Sequence, residues 1–309
     1  MTSMGFEHLE MVVPATSRSV FSLLDSTADT TAERELLERN GLSRVPVATG
    51  SSTAALMSEA ISRVLEHVAT PCERVGLVML VHSLPFPVAP GADFITACLD
   101  CHGLDRVPAI AVSGQPCAIL HQAVALAGGL LRDAPREGVL VVGADVANHD
   151  DERLFFGSAM GDAAIAGLLV ANSSRHQVLA TFTDTDIQAW EGELSPPEAI
   201  DRFRAANPQA IRTAILSCVA SAGLHLGELA MIVPHTPNRL IWDAVAALLR
   251  VPRDFIRDDG ISQTGHLNAS DAFIHYLRSH QAGDLKQGDI ALLVNPGFGG
   301  TRGCTLMRC

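Results

Sequence analysis

Residues 107–117 read Val-Pro-Ala-Ile-Ala-Val-Ser-Gly-Gln-Pro-Cys, a pattern that predicts a β-strand giving way to a helix. The first six residues are apolar, and residues 118–131 contain no Asp, Glu, Lys or Arg, as expected of a buried helix. Cys117 therefore stands at a helix N-terminus, where the helix dipole and unpaired backbone N–H groups favour thiolate over thiol. This position makes Cys117 the candidate nucleophile. A small core residue is an equally good interpretation of this segment by itself.

Two histidines occupy similar junctions in the second half of the chain. His235 lies in Pro-His-Thr-Pro-Asn, directly after the apolar run 229–233, and His266 lies just before a helix predicted from Leu267. Loops at such junctions often carry function. A Cys with loop histidines elsewhere in the chain is typical of a covalent acyl-transfer site. The pattern favours a functional role for both histidines over a structural one.

A weak internal repeat at a spacing of about 150 residues links the two halves of the chain. The paired elements are helix 52–67 with helix 209–222, strand 75–81 with strand 229–233, the Cys117 helix with helix 267–280, and strand 138–142 with strand 289–294. Alternating strands and helices predict a layered α/β fold with mostly parallel sheets. We expect two pseudo-symmetric halves, 1–172 with the nucleophile and 173–309 with the histidines, joined by a polar connector at 172–208.

Four patterns occur in the order found in one known family. They are the Cys117 turn, His-Thr-Pro-Asn at 235–238, Gly-Asp-Ala-Ala at 161–164 and Asn-Pro-Gly-Phe-Gly-Gly-Thr at 295–301. Along nearly its whole length the chain resembles the thiolase-fold condensing enzymes, most closely the β-ketoacyl-acyl-carrier-protein synthase III type. His266 departs from that type, which carries Asn after this glycine. Gly265-His266 instead resembles the elongating synthases with their Cys-His-His site, although a shifted loop could offer Asn268.

The resemblance implies a thiolase-like fold and roles for the site residues. Cys117 would attack an acyl thioester, and its own N–H with that of Gly299 or Gly300 would form the oxyanion hole. An ordinary hairpin turn is the alternative for the glycine run. His235 and His266 would donate hydrogen bonds to a malonyl-type thioester as carbon dioxide leaves. We expect helical spacing to turn Asp271 away from them.

Substrate contacts are expected from residues spread along the chain: Asn238, Asn268, Arg153, Phe298 and Phe86. Phe86 belongs to the proline-rich loop 81–91, which in these relatives crosses a dimer interface, although a rigid surface connector is the simpler interpretation. The donor is expected to be a thioester of acyl carrier protein or coenzyme A. The Arg-Asn-Gly segment at 39–41 resembles part of the coenzyme A site but lacks its Trp, which favours the carrier protein. Arg239, Arg250, Arg253 and Arg257 could form a basic patch for either donor, or be scattered solvated side chains.

Composition indicates a soluble enzyme. The 309 residues are 48% hydrophobic and 18% charged, which suffices for a large core, and the net charge of -12 argues against nucleic acid as a ligand. We expect no membrane span and no signal peptide, hence a cytoplasmic protein whose seven cysteines are reduced thiols. Cys-Leu-Asp-Cys-His at 98–102 matches a haem-attachment pattern, but its helical setting argues against haem. No metal or bound cofactor is expected.

These observations predict an enzyme that carries an acyl group on Cys117. We expect a homodimer that performs decarboxylative Claisen condensation with a malonyl-type thioester, in fatty-acid, polyketide or related secondary metabolism. One alternative is acyl transfer to an alcohol or amine without decarboxylation, with His235 as general base. The other is a non-catalytic partner subunit of a condensing heterodimer, which the presence of all three site residues disfavours.

Overall fold

The computed structural model describes residues 3–24, 29–84, 93–133, 137–155, 157–186, 191 and 194–309. The strands are β1 (Met4–Val12), β2 (Ser17–Ser19), β3 (Arg44–Pro46), β4 (Val75–Val81), β5 (Ala109–Val112), β6 (Gly138–Asp145), β7 (Leu154–Phe155), β8 (Ser158–Ala159), β9 (Ala163–Ala171), β10 (Gln177–Thr185), β11 (Met231–Pro234), β12 (Ile290–Pro296) and β13 (Thr301–Arg308). The helices are α1 (Thr31–Arg39), α2 (Thr53–Leu65), α3 (Pro71–Arg74), α4 (Phe94–Leu99), α5 (Ile119–Asp133), α6 (Pro197–Ser221), α7 (Leu240–Leu249), α8 (Ile261–Thr264) and α9 (Asp271–Ala282). Short 3-10 helices occur at Val20–Ser22, Asp150–Glu152, Leu226–Glu228, Arg253–Phe255 and Asn268–Ser270.

The large sheet repeats one strand arrangement. Its order is β11-β12-β13-β10-β1-β9-β6-β4-β5, so β4-β6-β9-β1 in the first half corresponds to β11-β12-β13-β10 in the second. A parallel bridge between Ile232 and Ile256 lies where the second half would have its counterpart of β5. The predicted α/β fold with two pseudo-symmetric halves is confirmed. The division at residue 172 stays a prediction, because one continuous sheet contains strands from both halves.

Parallel pairing is confined to the outer strands of this sheet. Among the described strands, β4 pairs in parallel with β5 and β6, and β11 pairs in parallel with β12. The central pairs β1–β9, β1–β10, β6–β9, β10–β13 and β12–β13 are antiparallel. Parallel neighbours need a crossover, which α4, α5 and α7 to α9 supply, whereas the tight turn from β12 to β13 reverses the chain. The expectation of mostly parallel sheets therefore holds at the edges only.

The polar connector predicted at 172–208 is wrong as a structural description. This stretch contains β10, which pairs with β1 and β13, and the first half of the long helix α6. The Thr and Asp residues that suggested a loop have partners in α5 and in the sheet: the Thr183 hydroxyl donates to Gln122 of α5 at 2.6 Å, and Arg302 of β13 donates to Asp184 at 2.6 Å. Composition misled because β10 is only partly buried, so its apolar pattern is weak.

Helices α5 and α9 lie between the strands of the first half and those of the second half. One core cluster joins α5 and α9 to β4, β6 and β9 on one side and to β11 and β12 on the other. The opposite strand faces pack on α2 in the first half and on α6 and α7 in the second. Side chains alternate accordingly, with Met79 and Val81 in the central cluster and Val78 and Leu80 facing α2. Within the described chain no helix has the length and apolarity of a membrane span.

Candidate active site

Cys117 lies in a sharp turn between β5 and α5. Its φ of 59° is in the left-handed region, which a residue with a Cβ adopts only when the surroundings hold it there. The turn is closed by the N–H of Ala118, which donates to the Pro116 carbonyl at 2.6 Å. The strand-to-helix junction expected from the sequence is thus present, and it presents the thiol just before the first turn of α5.

The three predicted catalytic residues meet at one cavity. The Cys117 Sγ lies 3.2 Å from the His266 Nε2, although 149 positions separate the two residues in the chain. The His235 and His266 rings are 5.3 Å apart between centroids and nearly perpendicular. All three residues line a cavity of about 360 Å³. Its walls come from both halves of the fold: Phe155, Ser158, Phe203, Arg204, Asn207, Pro208, Pro237, Asn238, Leu240, Ile241, Ala244, Pro296, Gly297 and Phe298.

A buried carboxylate completes the site. The His266 Nδ1 lies 2.7 Å from the Asp271 Oδ2, and the Asp271 side chain is fully buried. Asp271 also accepts hydrogen bonds from the Thr236 N–H at 2.7 Å and the Thr236 hydroxyl at 2.8 Å, and His275 Nε2 lies 3.1 Å away. Cys117, His266 and Asp271 are therefore connected in series, as in a nucleophile, base and orienting acid.

The expectation that Asp271 points away from the histidines is wrong. It assumed a continuous helix from Leu267, whereas the chain forms a 3-10 turn at Asn268–Ser270 and α9 starts only at Asp271. Asn268 has a φ of 52°, which redirects the backbone between the two residues. Asp271 consequently lies at the N-terminus of α9 and faces back to His266. The acidic residue at the start of a predicted helix was the sequence signal available.

The charges in the site follow from this geometry. Burial raises the pKa of Asp271, but hydrogen bonds from His266 and His275 outweigh burial and hold the pKa well below its usual value. Burial lowers the pKa of His266, yet the adjacent Cys117 sulfur and Asp271 carboxylate together raise it above its ordinary value. Burial, then the charge of His266, keeps the pKa of His235 far below the usual range. His266 can therefore hold a proton near neutral pH, and His235 is neutral.

His235 is held rigidly at the cavity. Its backbone N–H donates to the Val294 carbonyl at 2.8 Å, and its carbonyl accepts from the Trp242 indole at 2.9 Å. The Trp242 ring packs edge-on against the imidazole. The His235 Nδ1 is buried and has no hydrogen-bond partner among the described residues. Such an atom is costly to bury and typical of functional sites.

The oxyanion hole stays a prediction, and the structure shows the present surroundings of its expected donors. The Cys117 N–H donates to the Ser83 hydroxyl at 3.2 Å, so it must exchange this bond to serve an oxyanion. Gly299 and Gly300 are not among the cavity-lining residues, and the Gly300 carbonyl accepts from the Asp186 N–H at 2.8 Å. The turn from β12 to β13 brings Gly297 and Phe298 to the cavity, with Gly297 against the Pro116 carbonyl. The glycine run does lie beside Cys117, through its first residues.

Two predicted substrate contacts do not reach the cavity. Arg153 is buried and forms a bidentate ion pair with Asp162, at 2.8 Å for both hydrogen bonds. Asp162 in turn accepts the N–H groups of Ala48 and Ala147, so the pair ties segments of the scaffold together. Asn268 is also buried, and its carbonyl accepts a hydrogen bond from Asn295. The Arg153 correction arises from a long-range partner that local sequence does not reveal, whereas the Asn268 Nδ2 is buried without a hydrogen-bond partner among the described residues.

Other predicted features have mixed outcomes. Asn238 and Phe298 line the cavity, and the Asn238 Oδ1 accepts the Ile241 N–H at 3.1 Å near the start of α7. Phe86, with residues 85–92, lies outside the described residues, as does Phe156. Three of the four arginines in the possible basic patch are paired with carboxylates, namely Arg239 with Asp258, Arg253 with Asp243 and Asp258, and Arg257 with Asp259 and Asp284. These pairs largely neutralise the patch.

The residues of the haem-like motif have separate partners. Cys98 is buried against the Met57 sulfur at 3.8 Å, and His102 Nε2 lies 2.9 Å from the Ser58 hydroxyl. Over the described part of the chain, no group of three or more His, Cys, Asp or Glu side chains is arranged to hold a metal ion.

Known proteins are similar to this chain in sequence and in fold. Residues 219–309 match the family model described as 3-oxoacyl-[acyl-carrier-protein] synthase III C terminal. The β-ketoacyl-[acyl-carrier-protein] synthase III of Rhizorhabdus wittichii is 27% identical over 307 residues, which cover 92% of this chain and 93% of the relative. In sequence and fold the chain is similar to thiolase-fold enzymes of the synthase III type. The predicted resemblance is confirmed, and the chain is a synthase III-like acyltransferase.

Solved structures show that the similarity extends to the fold of the whole chain. The 3-oxoacyl-[acyl-carrier-protein] synthase III of Aquifex aeolicus aligns with a TM-score of 0.81 at 19% identity, covering 99% of this chain and 100% of that one. A protein described as the acyltransferase ChlB3 aligns with a TM-score of 0.85 at 21% identity, covering 99% and 97%.

Proposed function

We propose that this enzyme transfers an acyl group from a thioester to Cys117 and then to an alcohol or amine, without decarboxylation. One observation carries the proposal, the 2.7 Å contact between the His266 Nδ1 and the buried Asp271 carboxylate. A carboxylate in this position orients an imidazole as a general base and stabilises the imidazolium that forms. The function that the sequence placed second is thereby favoured over condensation.

The first half-reaction loads Cys117. His266 takes the thiol proton through Nε2, which lies 3.2 Å from Sγ, and the sulfur attacks the thioester carbonyl. The tetrahedral intermediate then expels the donor thiolate, which receives the proton back from His266. Asp271 holds the Nδ1–H throughout and balances the positive charge on the ring.

The second half-reaction transfers the acyl group. An acceptor hydroxyl or amine in the cavity gives its proton to His266 Nε2 as its oxygen or nitrogen attacks the Cys117 thioester. Collapse of the intermediate releases the ester or amide and returns the proton to the Cys117 sulfur. His235 remains neutral and is available to donate a hydrogen bond to the carbonyl oxygen. Asn238 and Phe298 are proposed to contact the substrate from the cavity wall.

The same geometry is less suited to stabilising an enolate. When His266 is neutral and gives its Nδ1–H to Asp271, its Nε2 has only a lone pair, so it cannot donate to an enolate oxygen. Donation from Nε2 requires the charged ring, and the adjacent Asp271 carboxylate opposes a second developing negative charge. A negatively charged malonyl group meets the same repulsion. The position of Asp271 therefore supports a neutral acceptor over a malonyl extender.

Decarboxylative condensation is the second candidate. His235 and His266 both line the cavity with ring centroids 5.3 Å apart, as two donors to one thioester oxygen would require. The curated relatives carry the name of a condensing synthase, whereas the ChlB3 neighbour is described as an acyltransferase. The Cys117–His266 contact gives a non-catalytic partner subunit no support.

The donor and the assembly are also proposals. We propose that the donor is a thioester of acyl carrier protein or coenzyme A, and that the chemistry needs no resident cofactor. A homodimer is supported by the edge strand β5, which exposes 43% of Ile110, and by α5, which exposes 45% of Leu126 and 47% of Leu130. A cytoplasmic location stays a prediction.

A chase experiment tests the proposal. The enzyme is loaded with an acyl thioester, separated from excess donor and divided between a panel of alcohols and amines and a malonyl thioester labelled in its carboxyl carbon. We expect acylated acceptor and no release of labelled carbon dioxide. A Cys117→Ala variant should remain unloaded, and Cys72→Ser, which changes an exposed thiol, should load normally. Release of labelled carbon dioxide with formation of a β-ketoacyl product would establish condensation instead.

A further inference from the structure

A chain of buried polar side chains runs from β13 through α5 to the segment between the base and its carboxylate. The Thr305 hydroxyl lies 2.7 Å from the His121 Nδ1, and the His121 Nε2 lies 3.1 Å from the Asn295 Oδ1. The Asn295 Nδ2 donates to the carbonyls of Asn268 at 3.1 Å and Ala269 at 3.4 Å. The side-chain members of this chain are all fully buried.

Every hydrogen bond in this series of buried side chains has a defined direction. The two carbonyls can only accept, so the Asn295 amide nitrogen must face them and its oxygen must face His121. The His121 Nε2 therefore carries a proton, and its Nδ1 accepts from the Thr305 hydroxyl. Burial lowers the pKa of His121 to about 4, so the ring is neutral and the pattern persists near neutral pH. All groups in the chain are satisfied in this one arrangement, which makes it rigid.

This series of side chains connects the two sides of the catalytic contact, the helix that follows Cys117 and the segment that follows His266. His121 lies one helical turn after Cys117, at the start of α5. Asn268 and Ala269 lie between His266 and Asp271. No covalent constraint sets the 3.2 Å distance from Sγ to Nε2, so the packing of α5 against this segment must set it. Asn295 is the residue of β12 that bonds to both.

We propose that Asn295 is a positioning residue that sets the distance between the Cys117 sulfur and the His266 imidazole. It acts through His121 on the nucleophile's helix and through two carbonyls on the segment that carries the base. The inference rests on the proposed role of Cys117 as the acylated residue, and it holds whether the acceptor is an alcohol, an amine or a malonyl thioester. A displacement of about 1 Å between reacting groups costs up to about a hundredfold in rate.

The test compares Asn295→Ala with Thr305→Val in the full-length enzyme. Thr305→Val removes the hydroxyl that bonds to His121, and the side chain keeps nearly the same shape. The hydrogen bonds from His121 through Asn295 to the two carbonyls remain. Both variants should lower the thermal midpoint, because each leaves a buried polar atom without a partner. Only Asn295→Ala should lower the acylation rate constant at saturating donor, by about tenfold or more. It should also change the pH profile of Cys117 alkylation by iodoacetamide, since that reaction reports on the contact with His266.

Asn295→Asp keeps the shape of the side chain and serves if Asn295→Ala does not fold. Its carboxylate can accept from His121 but cannot donate to the carbonyls, so it should show the same loss of acylation rate. Wild-type rates and a wild-type alkylation profile in a folded, less stable Asn295 variant would overturn the proposal. Failure of the wild type to form any acyl-enzyme would refute the proposed function instead, and the alkylation profiles would still decide the role of Asn295.

Discussion

Substitution of Asp271 by Asn removes the charge beside His266 while the fold around it can remain intact. With its amide oxygen at the Oδ2 position, the substituted side chain would still accept from His266 Nδ1 and the Thr236 N–H, both of which lie 2.7 Å from the carboxylate oxygen in the wild type. The amide nitrogen would face the Thr236 hydroxyl, which can donate to the Gly265 carbonyl 2.6 Å away and accept in return. It would also face the His275 Nε2, which would accept in the tautomer protonated on Nδ1. The orientation of the imidazole is thus preserved, and the charge is the principal loss.

The size of the effect follows from the charge separation. Opposite charges centred about 4 Å apart in a medium of effective dielectric constant about 20 attract by about 4 kcal/mol. This attraction exists only when the ring is an imidazolium, as in the two transfer steps. Since about 1.4 kcal/mol corresponds to a tenfold change in rate, Asp271→Asn should slow acylation of Cys117 by about a thousandfold.

Rapid-quench mixing with an acyl thioester, followed by intact-mass measurement, gives the acylation rate constant directly. The matched control is Asp259→Asn, which removes an exposed carboxylate paired with Arg257 and should leave the rate unchanged. An Asp271→Asn enzyme that acylates within about threefold of the wild type would refute the imidazolium argument, because it would leave less than about 1 kcal/mol for the charge pair.

Three further predictions use the same contacts. First, His266→Asn keeps a hydrogen-bond donor but removes the base, so acceptor turnover should fall at least about a hundredfold; unchanged turnover would show that His266 supplies no more than a hydrogen bond. Second, the pKa of His121 is about 4 when folded and near 6.5 when unfolded, so its contribution to stability is complete above pH 6.5 and declines toward pH 4. At pH 5 the wild type should have lost about 2 kcal/mol that a His121→Gln variant does not lose, as measured by urea unfolding of both proteins at pH 5 and 7; parallel losses would contradict the argument. Third, light scattering at micromolar concentration should report a dimer, and Ile110→Lys at the exposed edge of β5 should yield monomer; a wild-type monomer would exclude the proposed assembly.

The fold was predictable because its signals are local and repeated. The apolar strand before Cys117, the uncharged helix after it and the matching elements of the second half each appear in a short window of sequence. The strand β10 and the start of α6 were harder to predict, because their compositions are polar. Contacts between distant residues, such as that of Arg302 with Asp184, stabilise β10. A continuous sheet with antiparallel central strands depends on pairings between distant segments.

The residue types of the site, and the strand-to-helix junctions at which they lie, were predictable from the sequence. Cys117, His235 and His266 meet as the repeat and the resemblance imply. Asp271 escaped prediction because its direction depends on the backbone turn at Asn268, which a helical periodicity does not contain. Arg153 was misplaced for a related reason, since its partner Asp162 claims it through a buried ion pair. Both errors concern side chains whose partners are set by tertiary structure.

Peptide mapping of the acyl-enzyme shows whether Cys117 carries the acyl group. The protein is incubated with an acyl thioester, quenched in acid, digested and analysed by mass spectrometry. We expect one acyl group per chain, on the peptide that contains Cys117, and we expect it to disappear when an alcohol or amine acceptor is added before the quench. An acyl group on Cys98, Cys101 or Cys304, or an acyl-Cys117 that is discharged only by a malonyl thioester with loss of carbon dioxide, would contradict it.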